Sequence, residues 1–286
     1  MKKFYIITNH AKDAGFVVTG QIAEFLESHG AVCSCRKGGA ASGESRREAE
    51  QEVIPPDTDC VIVLGGDGTL MRAAYDVHGM GIPLIGINLG TLGYLAEVER
   101  PSIYPALDCL LKDQFQVERR MMLHGAVYHE DKLVHEDIAL NDIVIGRSGA
   151  LHVMSLYNYV NGNYLNYYRG DGVIIASPTG STGYSLSAGG PLISPDAALF
   201  LMTPLCAHTL NTRSIILPAE NRITVRIGAG RDDTVENAMA YFDGGRKTPM
   251  VTDDRIEITR SEYDTLIVKI RNDSFLETLK RKMSDI

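Results

Sequence analysis

The sequence predicts an N-terminal Rossmann-like α/β domain followed by a C-terminal β-rich, sandwich-like domain. Three observations predict it. Apolar runs of strand length alternate with segments of helical period up to about residue 113. From about Gln114 the texture changes to short segments in which apolar and polar residues alternate. The chain has 286 residues, enough for roughly two domains.

Residues 4–8 (FYIIT) give the first predicted strand. A helix follows over 14–29, with Val18, Ile22, Phe25 and Leu26 on one face and Gly30 as its stop. Residues 31–35 are a second strand, and the polar stretch 37–52 is a loop or an exposed helix. Cys60–Leu64 is a continuous apolar run. Leu70, Ala73, Ala74 and Val77 then recur at helical spacing, and Gly79 and Gly81 end that helix. Residues 83–88 are a further strand, and 102–113 a further helix. Strands alternating with helices imply a parallel sheet covered on both faces. In the second half, Ile223, Val225 and Ile227 alternate with Arg222, Thr224 and Arg226, and Ile256 and Ile258 repeat the pattern. Asn161-Gly162-Asn163 is a hairpin turn signal. Residues 274–282 close the chain as a short helix. The expected boundaries are 1–115 for the α/β domain, 116–270 for the β-rich domain, and 271–286 for a tail that packs back on the first.

The formal net charge of −8 argues against a nucleic-acid partner, which needs a basic surface. It leaves room for small anions, because backbone N–H groups can hold phosphate on an acidic protein. No apolar stretch reaches the roughly 18 residues of a membrane span. The opening MKKFYIITNH reads as a strand rather than a signal peptide. Five cysteines without framework spacing point to a reducing compartment, and so to the cytoplasm. Cys33-x-Cys35 beside His29 reads as an incidental pair on a strand.

The densest early signal is Gly65-Gly66-Asp67-Gly68-Thr69, between a strand and a helix. In open parallel sheets ligands bind beyond the carboxyl ends of the strands. Glycines let backbone approach a ligand, and a helix start offers unpaired N–H groups. Gly65, Gly66, Gly68 and Thr69 thus suit a phosphate-binding loop. Asp67 would repel phosphate unless a metal ion intervenes, and is better used to accept a proton from an attacking hydroxyl. The alternative is a plain turn in which Asp67 or Thr69 caps the helix. No Gly-Lys dipeptide and no G-x-G-x-x-G motif occurs, so the two common nucleotide signatures are missing.

The second dense signal is RGDGVIIASPTGSTGYSLSAGGP, residues 169–191. Its hydroxyls and glycines can offer many donors to phosphate or ribose, and its prolines, Tyr184 and Leu186 argue against a linker. Asn141-Asp142 precedes a strand, where an amide beside a carboxylate can grip two ribose hydroxyls; alone it is also an Asx turn. Asp243-Gly244 alone is a hairpin turn, His152 and His208 are candidate ligand contacts, and Glu136-Asp137 reads as a solvated turn.

Together these segments resemble the NAD kinase family. The pieces are GGDGT at 65–69, GINLGTLGYL at 86–95, Asn141-Asp142, the 169–191 block, PLCAHTL at 204–210, and Asp243-Gly244, in the family's order. The resemblance implies an α/β domain and a β-domain with the site between them. It implies transfer of the γ-phosphoryl group of ATP to the 2′-hydroxyl of the adenosine ribose of NAD, with Mg²⁺ or another divalent metal, in a homodimer or homotetramer. Carried over by position, Asp67 is the general base, with Gly68 beside it at the ribose. Asn141, Asp142, Arg169 and Asp171 hold NAD. Thr182, Gly183, Tyr184, Ser185, Leu186 and Ser187 line the adenine and ribose pocket. His152, Cys206 and Gly245 match positions that touch ligand less consistently. The metal ligands stay unassigned. The chain departs from the family where Asn-Glu is often found in place of Asn141-Asp142, at Gly183 (often alanine), at Tyr94 (often phenylalanine) and at Gly245 (often a longer polar residue). The rival readings are a lipid or sugar kinase with the same first loop, and a dinucleotide sensor without turnover.

Overall fold

The computed structural model describes residues 1–36, 53–90, 93–96, 98–149, 152–208, 212–270 and 275–284. The polar stretch 37–52 lies outside the described residues. The chain divides into two compact units, Met1–Arg119 with Thr265–Ile286, and Arg120–Asp264.

In the first unit, β1 (Lys3–Thr8), β2 (Val32–Cys35), β3 (Cys60–Gly65) and β4 (Leu84–Asn88) form a parallel sheet in the order β2-β1-β3-β4. β5 (Val98–Glu99) and the end of β17 (Arg255–Lys269) also pair with β4 in parallel. β3 and β4 are buried throughout, which explains their unbroken apolar runs. α1 (Val17–Ser28) and α3 (Ile103–Leu111) cover one face. They pack Ile22, Leu26, Leu107 and Leu110 against Phe4, Ile6, Ile62, Leu64, Ile85 and Ile87. α2 (Asp67–Asp76) lies on the other face, with Leu70 against Gly86. From β1 the chain moves first to β2 on one side and then to β3 on the other. The gap between β1 and β3 is therefore the point where strand order reverses, the usual ligand crevice of such sheets.

Two helix starts differ from the periodic reading. α2 begins three residues before its first periodic residue, because glycines carry no side chain to reveal helical phase. α1 begins later than expected, after a 3₁₀ turn in which Phe16 is left-handed at φ 56°. The buried Asp13 carboxylate accepts the N–H groups of Val18 (3.0 Å) and Thr19 (2.9 Å) and so satisfies this helix start.

The second unit is a β-sandwich. One antiparallel sheet runs β13 (Ile215–Pro218), β12 (Leu199–Leu205), β11 (Gly172–Ala176), β8 (Asp142–Arg147), β15 (Asn237–Phe242), β16 (Arg246–Val251). The other runs β10 (Asn163–Gly170), β9 (Met154–Val160), β14 (Ile223–Ile227), the start of β17, β6 (Gln116–His129), β7 (Lys132–Ala139). Ile143, Ile145, Val173, Ile175 and Phe200 from one face meet Leu123, Leu156, Val225 and Ile256 from the other in one core. The outer face of the β8–β11–β12 region carries a second small core: Val144, Ile174, Ala176 and Leu201 are covered by Ile193, Ala188 and Ala197. Ala188, Ile193 and Ala197 thus anchor the segment between β11 and β12 to the sheet. The β9–β10 turn has Asn161 and Gly162 at positive φ, as a two-residue hairpin demands.

One expectation needs correction. Glu136-Asp137 is not a solvated turn but part of β7. The Asp137 side chain is buried and accepts from Arg246 Nε at 2.7 Å, so the charges pair instead of meeting water. All five cysteines are free thiols, with Cys33 and Cys35 on β2. No helix among the described residues is long and apolar enough to cross a membrane.

Candidate active site

In the first unit the glycine loop joins β3 to α2 on the opposite face from α1. Gly66 is the residue before the helix, and no side chain caps the start. The capping alternative therefore fails for both candidates. Thr69 is buried and its Oγ1 accepts from Asn9 Nδ2 at 3.3 Å. Asp67 turns to a different segment: its Oδ2 accepts the Tyr94 N–H at 2.7 Å and its Oδ1 the Leu95 N–H at 3.2 Å. A carboxylate has about four lone-pair sites, so two remain for a ligand. Asp67 is half-buried and Gly68 is exposed.

Three glycines make this packing possible. A Cβ on Gly93 would fall 1.8 Å from Asp67 Oδ1, and one on Gly65 2.4 Å from Thr69 Oγ1. A Cβ on Gly86 would fall 2.9 Å from the Ala96 Cα. The Asn88 side chain braces the next turn, accepting the Gly90 N–H at 3.0 Å and donating to the Gly90 carbonyl at 2.9 Å. The geometry aims a fixed carboxylate, unshielded by neighbouring side chains in its own turn, at the end of the sheet.

In the second unit a cluster forms where β8 begins. Asp243, in the β15–β16 turn at φ 48°, clamps this segment. Its carboxylate accepts the N–H groups of Leu140 (2.8 Å), Asn141 (2.7 Å) and Asp142 (3.2 Å). The Ser177 hydroxyl donates to the Leu140 carbonyl at 2.5 Å, and the Ser177 N–H to that of Asn141 at 2.8 Å. A Cβ on Gly180 would stand 2.0 Å from the Asn141 carbonyl oxygen, so that turn also presses on it. Asn141-Asp142 is therefore not a self-contained Asx turn. Its backbone is held from outside, and the Asn141 Oδ1 is buried with no hydrogen-bond partner. Such an atom costs free energy unless a ligand or water fills it. Burial, then the neighbouring Asp243 charge, pushes the Asp142 carboxyl up to about 7.

Gly183 stands beside this pair: a Cβ there would lie 3.5 Å from Asn141 Nδ2 and 3.9 Å from Asp142 Oδ2. Partial burial, and then Cys206, Asp171 and Asp142 nearby, hold the Tyr184 phenol above its usual range. Asp171 is oriented by Arg147 Nε at 3.1 Å. Tyr184, Leu186, Ser187 and Cys206 are exposed, while Thr182 donates to the Thr179 carbonyl at 3.1 Å. Asn141, Asp142, Asp171, Gly183, Tyr184 and Cys206 are thus brought together.

The other expected residues have partners and settings of their own. Ser185 is fully buried and its hydroxyl pairs with Thr203 at 3.1 Å. His152 pairs with the buried Glu236. Arg169 is exposed on β10, where its carbonyl accepts the His208 N–H at 2.7 Å. Gly245 is exposed beside the Asp243 turn. Asp243 as the clamp and Arg147 as the partner of Asp171 escaped sequence reasoning, whereas Thr179 was read only as one hydroxyl among the many of the 169–191 block. The Thr179 Oγ1 is a second buried polar atom with no partner. Its place inside the SPTGST run was the one available signal.

Among the described residues no group of three or more His, Cys, Asp or Glu could hold a metal ion.

The chain is similar to known proteins over most of its length. Residues 6–115 match the ATP-NAD kinase N-terminal domain, and residues 119–270 the ATP-NAD kinase C-terminal domain. An NAD kinase of Lachnospira eligens is 45% identical over 295 residues, covering 99% of this chain and 100% of the relative. One of Agathobacter rectalis is 45% identical over 292 residues, covering 100% and 99%. Among solved structures, a yeast NADH kinase complexed with NADH has a TM-score of 0.82 at 22% identity, covering 98% of this chain and 86% of that one. An NAD kinase from Archaeoglobus fulgidus in complex with ATP has a TM-score of 0.76 at 23% identity, covering 99% of both. The chain belongs to the ATP-NAD kinase family.

Proposed function

We propose that this member of the ATP-NAD kinase family transfers the γ-phosphoryl group of ATP to the 2′-hydroxyl of the adenosine ribose of NAD, giving NADP and ADP. One observation carries the mechanism: the Asp67 carboxylate is fixed by the Tyr94 and Leu95 N–H groups and keeps lone pairs free. In the reaction the 2′-hydroxyl donates a hydrogen bond to Asp67. Its O–H bond breaks and the proton passes to the carboxylate. The ribose oxygen forms the new O–P bond, and the bond from the γ-phosphorus to the β–γ bridging oxygen breaks, with its electrons leaving on ADP. Phosphoryl transfer asks for positioning and charge stabilisation more than covalent help. Gly65, Gly66, Gly68 and Thr69 with the start of α2 offer backbone N–H groups to the donor's phosphates.

The second unit holds the acceptor. The unpaired Asn141 Oδ1 and Thr179 Oγ1 supply hydrogen-bonding capacity that the fold leaves unused. Asp142 contributes a carboxyl that titrates near neutrality, and Asp171 one oriented by Arg147. Gly183, Tyr184, Leu186, Ser187 and Cys206 provide the surface around them, with Thr182, Arg169, His152, Ser185 and Gly245 at its margins. Magnesium, or another divalent metal, enters with ATP, liganded mainly by phosphate oxygens and water, as suits that ion. The reading places the working domains at 1–115 and 116–270, with 271–286 as a tail of the first. It also takes the protein as cytoplasmic and as a homodimer or homotetramer.

The test is incubation with ATP, magnesium and NAD, with NADP read by an NADP-specific dehydrogenase. NADP formation is expected. Phosphorylation of a diacylglycerol or a free sugar instead, or NAD binding without product, would overturn the reading.

A further inference from the structure

Lys12 lies in the loop after β1, and its ammonium reaches across to the glycine turns that follow β3 and β4. Its Nζ lies 3.0 Å from where a Cβ on Gly66 would be, and 3.2 Å from where a Cβ on Gly90 would be. Its Cε and Cδ lie 3.6 and 3.9 Å from that second point, so the stem runs along Gly90. Two glycine turns, one after β3 and one after β4, therefore leave space for a single cation. Side chains at 66 or 90 would crowd it. The loop that carries Lys12 is itself anchored to the glycine loop. The Asn9 N–H donates to the Leu64 carbonyl at 2.8 Å, its side chain donates to Thr69 Oγ1, and the Lys12 N–H donates to the Asn9 carbonyl at 2.9 Å.

Among the described residues the Lys12 ammonium has no hydrogen-bond or ion-pair partner. The carboxylates of Asp13, Asp137, Asp171 and Asp243 are all engaged, whereas Lys12 is exposed and its charge is open to a ligand. A strongly hydrated point charge kept beside an uncapped helix start suits a multiply charged anion. The absent Gly-Lys motif is informative here. In Walker-type loops the glycines and the lysine share one segment, and the lysine reaches the terminal phosphates. Here the glycines follow β3 and the lysine follows β1.

We propose that Lys12 binds the phosphate chain of the nucleoside triphosphate donor, doing from a separate loop what the P-loop lysine does from within its own. The inference rests on the phosphotransferase reading above. Lys12 acts by positioning and neutralising the donor's phosphates, while the proton transfer stays with Asp67.

The test compares Lys12→Met and Lys12→Arg with the parent protein. The readouts are KM for ATP, KM for NAD, kcat, thermal melting, and ATP binding by calorimetry without NAD. If the parent protein makes no NADP, the functional reading fails and not this assignment alone. If it does, Lys12→Met is expected to raise KM for ATP and weaken ATP binding by about 10-fold or more. KM for NAD should move less than about twofold, the melting temperature should hold, and Lys12→Arg should recover part of the loss. Unchanged ATP parameters in Lys12→Met would overturn the proposal. So would an equal or larger shift in KM for NAD, which would assign the lysine to the dinucleotide's pyrophosphate. A lowered melting temperature would overturn it too, because a lysine without a partner has nothing to hold together.

Discussion

The Asp67 carboxylate fills the space that a side chain at Gly93 would need: a Cβ there would fall 1.8 Å from Oδ1 and 2.4 Å from Cγ. The two segments are further tied by the Tyr94 and Leu95 N–H bonds to the same carboxylate. Gly93, Tyr94 and Leu95 therefore set where the proposed base points, although none of their side chains is catalytic.

Gly93→Ala follows directly. The methyl group must displace the carboxylate, and a shift of about 1 Å in a reacting group can cost 10²-fold. A fall in kcat of about 10² is expected, with KM for NAD changed less, because most of the residues proposed to hold NAD belong to the second unit and are untouched by the substitution. Steady-state kinetics on purified variant protein check this. Wild-type kcat would mean that the carboxylate's placement is immaterial.

Asp142 gives a pH signature. Its carboxyl is raised to about 7 in the folded protein by burial and by Asp243, against an ordinary value of 3.8. The folded state then binds more protons than the unfolded state between about pH 4 and 7, so this group's contribution to stability falls as pH rises through that window. At pH 8 the ionised form costs on the order of 4 kcal/mol relative to acid conditions. Asp142→Asn cannot ionise. Relative to the parent, its melting temperature should gain more at pH 8 than at pH 5. A difference independent of pH would contradict the assignment.

Asp243→Ala removes the acceptor for three backbone N–H groups at 140–142. Unpaired buried donors cost about 1–3 kcal/mol each. A loss of about 3 kcal/mol or more is expected in denaturant melts. Asp243→Asn, which keeps one acceptor oxygen, should lose less and raise KM for NAD more than KM for ATP. Equal stability in all three proteins would remove the clamp.

Ser185 offers a control. Its buried hydroxyl pairs with Thr203 and with no other group near the Asn141 cluster. Ser185→Ala should cost about 1 kcal/mol of stability and leave KM for NAD within about twofold. A large rise in KM with stability intact would return Ser185 to the ligand surface.

What the sequence disclosed, and what it hid, follows from where each signal resides. The parallel sheet was legible because Cys60–Leu64 and 83–88 are buried on both faces and so read as unbroken apolar runs. The sandwich was legible because β14 and β17 each bury alternate residues. The glycine loop announced itself through composition. Asp243 did not: a turn aspartate before glycine looks like any hairpin, and its partners lie about a hundred residues away. Lys12 escaped for the same reason, and the particular parts of Gly93 and Thr179, each inside a motif the sequence did reveal, show only in the close approaches made in three dimensions. Asp137 misled because a surface-like Glu-Asp pair carries no mark of the arginine that buries one of its members.

The most direct test is Asp67→Asn. Asparagine keeps the side chain's shape and one acceptor oxygen but cannot take the proton. Initial rates of NADP formation should fall by about 10²–10⁴-fold, while NAD and ATP still bind the folded variant in calorimetric titrations. Turnover near that of the parent, at saturating ATP and NAD, would contradict the central claim that this carboxylate removes the ribose proton.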